Sequence, residues 1–307
     1  MSANRVIGVD LGGTKIAAGL VDRAGRIEAR REVATPTESE EAVLTAIERT
    51  VEGLFDDDVA ALGLGVPSTV DQKTGRAVSS VNIPLTDVPL RDHLAERFGV
   101  PCGIDNDANA AAIGEWQAGA GRGTRNMIML TLGTGVGGGL ILDGRPYRGS
   151  VGAAAELGHM VIEHDGRPCQ GTCTGRGHLE AYATGLAAAD DAREAFGPDA
   201  DTHVLIERAV ARDERALEIL DAIARRLGSA LGTLVNVFNP EMIVIGGGWG
   251  EAADDFLLER AREVMLRESL SPGRELVRVV PAELGPDAGV VGAAFVAFEA
   301  VDAAESR

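Results

Sequence analysis

The sequence predicts an α/β protein of two lobes, built on a similar plan and facing each other across a cleft. Two observations carry that expectation. A strand, turn and strand at the start, RVIGVD (5–10), a glycine turn and IAAGLVD (16–22), is laid out again in NMIMLTLGTGVGGGLILDG (126–144). The chain, at 307 residues, is also long enough for two domains that each bury a core.

The remaining elements follow in order. IEARREV (27–33), after the AGR turn at 24–26, reads as a third strand. Leu44, Ile47, Val51 and Leu54 recur at helical spacing and predict an amphipathic helix over 40–54. ALGLGVP (61–67) is a buried strand ended by Pro67. A long loop then leads to GVPCGIDND (99–107), a strand feeding an Ala-rich helix from Asp107 to about Ala118. Past the repeated unit, Leu217, Leu220, Leu227, Leu231 and Leu234 mark one long helix. MIVIGGG (242–248) is a strand running into a glycine turn, and DAGVVGAAFVAFEAV (287–301) a last apolar helix.

Composition excludes several partners. The 29 basic residues are outnumbered by 47 acidic ones, and no block of Lys and Arg concentrates positive charge, so neither nucleic acid nor an anionic membrane surface is expected to bind. The start, MSANRVIGVD, has no basic stretch followed by a long apolar run, and no segment approaches the roughly 20 apolar residues of a membrane helix. Three cysteines do not make a disulfide framework. The expected compartment is the cytoplasm.

Three glycine turns at strand ends carry the first chemical signal. In GVDLGGTKIAAG, Gly12 and Gly13 let backbone N–H groups approach an anion, Thr14 adds a hydroxyl and Lys15 a positive charge. Asp10 is placed to hold a hydrated Mg²⁺ against phosphates. LGTGVGGG supplies a second turn through Gly133, Thr134, Gly135 and Gly137, and Gly246, Gly247 and Gly248 make a third, suited to a flat group lying close to backbone. Any one of them alone reads as an ordinary corner. Together they point to phosphate binding, although none matches the P-loop or the dinucleotide fingerprint. The nucleotide would be gripped between turns from opposite lobes.

CGIDNDANAAAIGEW carries the second signal. Asp107 lies where strand gives way to helix, so it can cap the helix, and the helix N-terminus is expected to keep it ionised at neutral pH. Asn106 can donate and accept, which suits a sugar hydroxyl. A plain cap is the competing reading. With the phosphate turns present, Asp107 is the candidate base for a hydroxyl attacking a γ-phosphate.

DLGGTK, NDAN, LGTGVGGG, ELGH, the Cys/His stretch GHMVIEHDGRPCQGTCTGRGHLE (158–180) and VIGGG together resemble, in order and spacing, the ROK family (repressor, open reading frame, kinase). That resemblance, which covers almost the whole chain, implies a two-lobed actin-like ATPase (ribonuclease H-like) fold. It implies an N-terminal lobe of residues 1–118 plus about 290–307 and a C-terminal lobe of residues 119–289. The implied reaction is transfer of the γ-phosphate of ATP, with Mg²⁺, to a hexose hydroxyl, glucose being the commonest acceptor, in a homodimer or homotetramer. Carried over by motif, Asp107 matches the catalytic base, Asn106, Glu156, His159 and Glu180 match residues that hydrogen-bond the sugar, and Asn82 matches a further sugar contact.

The resemblance also implies a structural zinc on one His and three Cys. Here the cysteines are spaced C-x3-C rather than C-x-C, and His178 stands where the third Cys is expected, leaving His159, Cys169, Cys173 and His178 as ligands. Four protein ligands leave no open position, so the metal would be structural. A metal-free loop with reduced thiols is the other reading. His164 is expected in an exposed turn, Cys102 as a buried thiol and His93 at the surface. Ser68 follows Pro67 where the family usually has Gly, so its side chain is expected to trim the sugar pocket or add a hydroxyl contact.

Other functions compete for the same residues. A sugar-responsive repressor would carry a DNA-binding segment ahead of the first strand, and only four residues precede it. A non-catalytic sugar sensor, a kinase for mannose, fructose or N-acetylmannosamine, and polyphosphate as donor remain alternatives to a glucokinase using ATP.

Overall fold

A computed structural model describes residues 5–80 and 83–306. Asn82, the further sugar contact implied by the resemblance, lies outside the described residues.

The first half of the chain runs β1 (Arg5–Leu11), β2 (Lys15–Asp22), β3 (Ile27–Ala34), α1 (Glu40–Glu52), β4 (Val59–Val66), β5 (Ser68–Asp71), β6 (Arg76–Ser80), β7 (Thr86–Val88), α2 (Leu90–Phe98), β8 (Cys102–Asn106) and α3 (Asp107–Ala118). The second half runs β9 (Met127–Leu132), β10 (Val136–Leu142), β11 (Arg145–Pro146), a 3₁₀ turn at Leu157–His159, then α4 (Glu180–Ala183), α5 (Gly185–Phe196), α6 (Thr202–Val210), α7 (Glu214–Phe238), β12 (Met242–Gly246), α8 (Gly248–Ala252), α9 (Asp254–Glu268), α10 (Gly273–Leu276), β13 (Arg278–Pro281) and α11 (Ala288–Glu305).

The two halves repeat one sheet. The first has strand order β3-β2-β1-β4-β8 and the second β11-β10-β9-β12-β13. In each, three strands connect as an antiparallel meander and two more are added in parallel. The duplicated strand-turn-strand sequence is therefore a duplicated architecture. The long loop expected between 67 and 99 is not a loop: β5, β6 and β7 form a small antiparallel sheet and α2 follows.

Local signals explain the helices that the sequence places. Ser39 caps α1 by accepting the Ala42 amide hydrogen, Glu40 and Glu41 occupy the first turn, and Val43, Ile47 and Val51 face the core. Asp213 caps α7 by accepting from the Arg215 and Ala216 amides, and Asn239 ends it in the left-handed region at φ 46°.

Separate apolar clusters fill the two halves. Ile7, Val9, Leu62, Leu64, Ile47 and Leu94 belong to the first, and Ile128, Leu130, Leu220, Leu227, Ile243 and Leu257 to the second. Helices α3 and α11 are packed together between the sheets with small residues at the crossing. A Cβ on Gly292 would stand 1.6 Å from the Ala110 carbonyl oxygen, so only glycine allows this approach. Across α3, Gly65 of β4 lies under Ala110, and Gly137 of β10 faces Ala108. The head of α3 is thereby held between the two sheets. Among the described residues, no helix is long and apolar enough to cross a membrane.

Candidate functional site

The junction of β8 and α3 is the centre of the site. Asp10 and Asp105 both pair with Gly65 of β4, one from each side, so three parallel strands end at one edge. Asn106, not Asp107, is the N-cap of α3: its Oδ1 accepts from the Ala108 and Asn109 amides at 3.0 and 3.2 Å. Its Nδ2 reaches toward the Ser68 carbonyl at 3.5 Å. Asp107 is the first helical residue, with Oδ1 accepting the Ala108 amide hydrogen at 2.9 Å.

The expectation that the helix terminus keeps Asp107 ionised is corrected by its surroundings. Burial, with the negative charge of Asp10 added to it, outweighs the amide hydrogen bonds and pushes the carboxyl up to about 7. Asp107 is thus poised between its acid and base forms at neutral pH, the condition that suits a general base. Asp10 is itself raised by burial, with Lys15 and Arg30 pulling the other way. Lys15 opens β2, where its Nζ sits 3.3 Å from Glu32 Oε2, so its charge is shared between that partner and Asp10.

The glycine turns gather around this junction. The Gly12 amide donates to the Lys15 carbonyl at 2.9 Å, its own carbonyl accepts the Thr35 hydroxyl at 2.7 Å, and Gly13 and Thr14 at the tip are exposed. In the second turn the Gly133 amide donates to the Gly135 carbonyl at 2.9 Å, leaving Thr134 exposed at its tip. Gly137 lies beside Ala108, the residue after Asp107. The third turn abuts the second: Gly246 pairs with Thr131, and Gly247, at φ 86°, lies so close to Leu132 that a Cβ would be 2.5 Å from its carbonyl oxygen. Gly248 is exposed and starts α8.

The Cys/His stretch folds into a compact cluster. The ligand atoms of His159, Cys169, Cys173 and His178 all lie within 4.8 Å of one another. His159 Nδ1 and His178 Nδ1 are 3.2 Å apart, Cys169 Sγ is 3.7 Å from His159 Nδ1, and Cys173 Sγ is 3.6 Å from His178 Nδ1. Tetrahedral zinc with ordinary bond lengths separates two nitrogens by about 3.4 Å and a nitrogen from a sulfur by about 3.6 Å. The donor set fits that ion. The segment has no strand, only isolated bridges pairing Val161 with His178 and Pro168 with Arg176.

Glu180 follows the cluster as the first residue of α4. Its Oε2 accepts the Val136 amide hydrogen at 2.9 Å, next to the second glycine turn, and its Oε1 is 3.9 Å from Cys169 Sγ. Glu156 is exposed at the start of the 3₁₀ turn that carries His159. With Nδ1 in the cluster, His159 has Nε2 left for another partner.

The other single-residue expectations divide. His164 is exposed in its turn, and Cys102 is buried, its thiol pushed up to about 12. His93 is only half-exposed, with Nε2 2.7 Å from Glu48 Oε1. Ser68 does not offer a hydroxyl to a sugar. It is buried, and its Oγ lies 2.8 Å from the Ser79 carbonyl and 3.1 Å from the Ser79 amide, so β5 and β6 consume it. Two residues at the site had no sequence signal. Asp105, 1% exposed, receives the Arg148 guanidinium at 2.6 Å, and Arg148 also reaches Glu299 at 3.0 Å.

Two sheets of one design, with glycine turns and an acid at their facing ends, define the actin-like ATPase class. Residues 6–300 match the profile of the ROK family, and the chain belongs to that family. The glucokinase of Halalkalibacterium halodurans is 38% identical over 314 residues, covering 95% of this chain and 94% of that protein. A ROK family glucokinase from Streptomyces griseus, solved in complex with glucose and AMPPNP, superposes with a TM-score of 0.83 at 36% identity, over 96% of this chain and 99% of that one. The ROK hexokinase from Thermus thermophilus superposes with a TM-score of 0.85 at 37% identity, over 97% of this chain and 99% of that one.

Proposed function

We propose that the chain is an ATP-dependent hexokinase of the glucokinase type, converting glucose to glucose 6-phosphate in the cytoplasm. The observation that carries this reading is Asp107: a carboxyl near neutrality, at the head of a helix, with the Asp10 turn and the Gly137 strand on either side. The similarity to glucokinases over nearly the whole chain supports the same reaction.

In this reading Asp107 accepts the proton of the sugar's 6-hydroxyl as that oxygen bonds to the γ-phosphorus and the bond from phosphorus to the β,γ-bridging oxygen breaks, releasing ADP. Asp10 would hold the Mg²⁺ of the nucleotide, and Lys15 with the two turns that carry Gly12, Gly13, Thr14, Gly133, Thr134, Gly135 and Gly137 would stabilise the phosphate charge. Gly246, Gly247 and Gly248 give the nucleoside a flat backbone surface. Asn106, Glu156, His159 and Glu180, with Asn82, bind the sugar. The lobes are residues 1–118 with about 290–307, and residues 119–289.

Zinc on His159, Cys169, Cys173 and His178 would supply a structural crosslink, holding His159 in the tautomer that turns Nε2 to the sugar. Exposed apolar side chains on neighbouring elements, Val237, Leu266, Leu270 and Leu276, support assembly into a homodimer or homotetramer.

The test is turnover with MgATP and with polyphosphate over glucose, mannose, fructose, N-acetylglucosamine and N-acetylmannosamine. Glucose with MgATP is expected to give the highest kcat/KM. Turnover of another hexose alone would move the substrate assignment, and no turnover of any would leave a sugar sensor.

A further inference from the structure

We propose that Arg148 is a positioning residue for the transfer, clamping the arm that leads to Glu156 and His159 onto the strand end that presents Asn106 and Asp107. The proposal deepens the hexokinase reading and rests on it.

Arg148 follows β11 of the second sheet, yet its guanidinium is spent on the first half of the chain and on the last helix. Nε donates to Asp105 Oδ2 of β8 at 2.6 Å, and Nη2 donates to Glu299 Oε2 of α11 at 3.0 Å. The Asp105 carboxylate is almost wholly buried, and its other oxygen accepts from the Asn106 amide at 2.8 Å and Asn109 Nδ2 at 3.1 Å. One oxygen therefore fixes the head of α3 while the other holds Arg148. Between Arg148 and Glu156 the chain stays pinned: the Ala154 amide donates to the Arg148 carbonyl at 3.3 Å, and Gly152 lies on β5, where a Cβ would be 1.8 Å from the Val70 carbonyl oxygen. The base and the acceptor-binding arm are thus referred to one carboxylate. A planar guanidinium can meet two carboxylates from fixed directions at once, whereas an ammonium on a flexible stem cannot hold both in that geometry. Removing the arginine alone would strand a buried carboxylate, so a charge-neutral double variant is needed beside the conservative one.

The experiment compares Arg148→Lys and the double variant Arg148→Met with Asp105→Asn against the wild-type chain, by sugar and MgATP kinetics and by amide hydrogen exchange over residues 104–110 and 149–159. Arg148→Lys is expected to lower kcat/KM for the sugar about tenfold or more, with KM for MgATP changed less than about twofold, and the double variant to fold and show at least as large a loss. Exchange should quicken in both segments together. Folded variants with wild-type sugar kinetics, or a loss that falls equally on MgATP, would overturn the proposal. If the wild type itself turns over no hexose, the kinase reading fails by itself. Exchange then decides the clamp: joint quickening upholds it and unchanged exchange overturns it.

Discussion

Glu180 accepts the Val136 amide hydrogen at 2.9 Å with one carboxylate oxygen, and its other oxygen lies 3.9 Å from Cys169 Sγ. One side chain thus joins the strand after the second glycine turn to the edge of the cysteine and histidine cluster. Because the proposed sugar contact and the proposed phosphate turn share this carboxylate, Glu180→Ala should raise KM for both substrates. A change confined to the sugar, read from initial rates with each substrate varied, would show that Glu180 does not hold the turn.

Zinc should behave differently. Leu179, fully buried beside Glu180, anchors the start of α4 through the core rather than through the cluster. Metal analysis is expected to find about one zinc ion per chain, lost in Cys173→Ser. Removing it with a chelator should raise KM for the sugar severalfold and leave KM for MgATP nearly unchanged. A protein shown to be zinc-free that keeps wild-type sugar kinetics would sink the structural role of the metal.

Ser68→Gly should act on stability, not on sugar choice. The hydroxyl is bonded within the β5–β6 pair, so deletion removes buried hydrogen bonds and adds backbone freedom, costing about 1–2 kcal/mol. Denaturant unfolding measures the loss. A changed ranking of hexoses would restore the direct role suggested by the sequence alone.

Activity and stability should respond to pH in opposite senses through Asp107. A base works in its ionised form, so kcat/KM for the sugar should rise with pH through about 7 and then level off. A carboxyl raised above its unfolded value stabilises the fold fully below the usual carboxylate range, and that contribution is lost as pH rises through about 7. Asp10→Asn removes the neighbouring negative charge and should move the kinetic inflection downward. An inflection that stays in place would remove Asp10 as a cause.

Much of the fold was legible because its signals are local. Apolar runs joined by glycine turns mark β1, β2, β9 and β10, and regular leucines mark α7. The stretch from Ser68 to Val88 was not legible: β5, β6 and β7 are short, and their apolar residues do not alternate cleanly. The turns, Asp107 and the cluster could be found from residue type and order. The charge state of Asp107 could not, since it depends on burial and on an acid far away in sequence. Arg148 and Asp105 are 43 residues apart, and nothing near either one signals their contact.

The central claim, that Asp107 takes the acceptor's proton, is tested most directly by Asp107→Asn with saturating MgATP and glucose. Asparagine preserves size and polarity but cannot accept that proton. The account predicts a fall in kcat of roughly 1,000-fold with sugar binding retained, measured by equilibrium titration. A variant that binds glucose and keeps near wild-type kcat would contradict it.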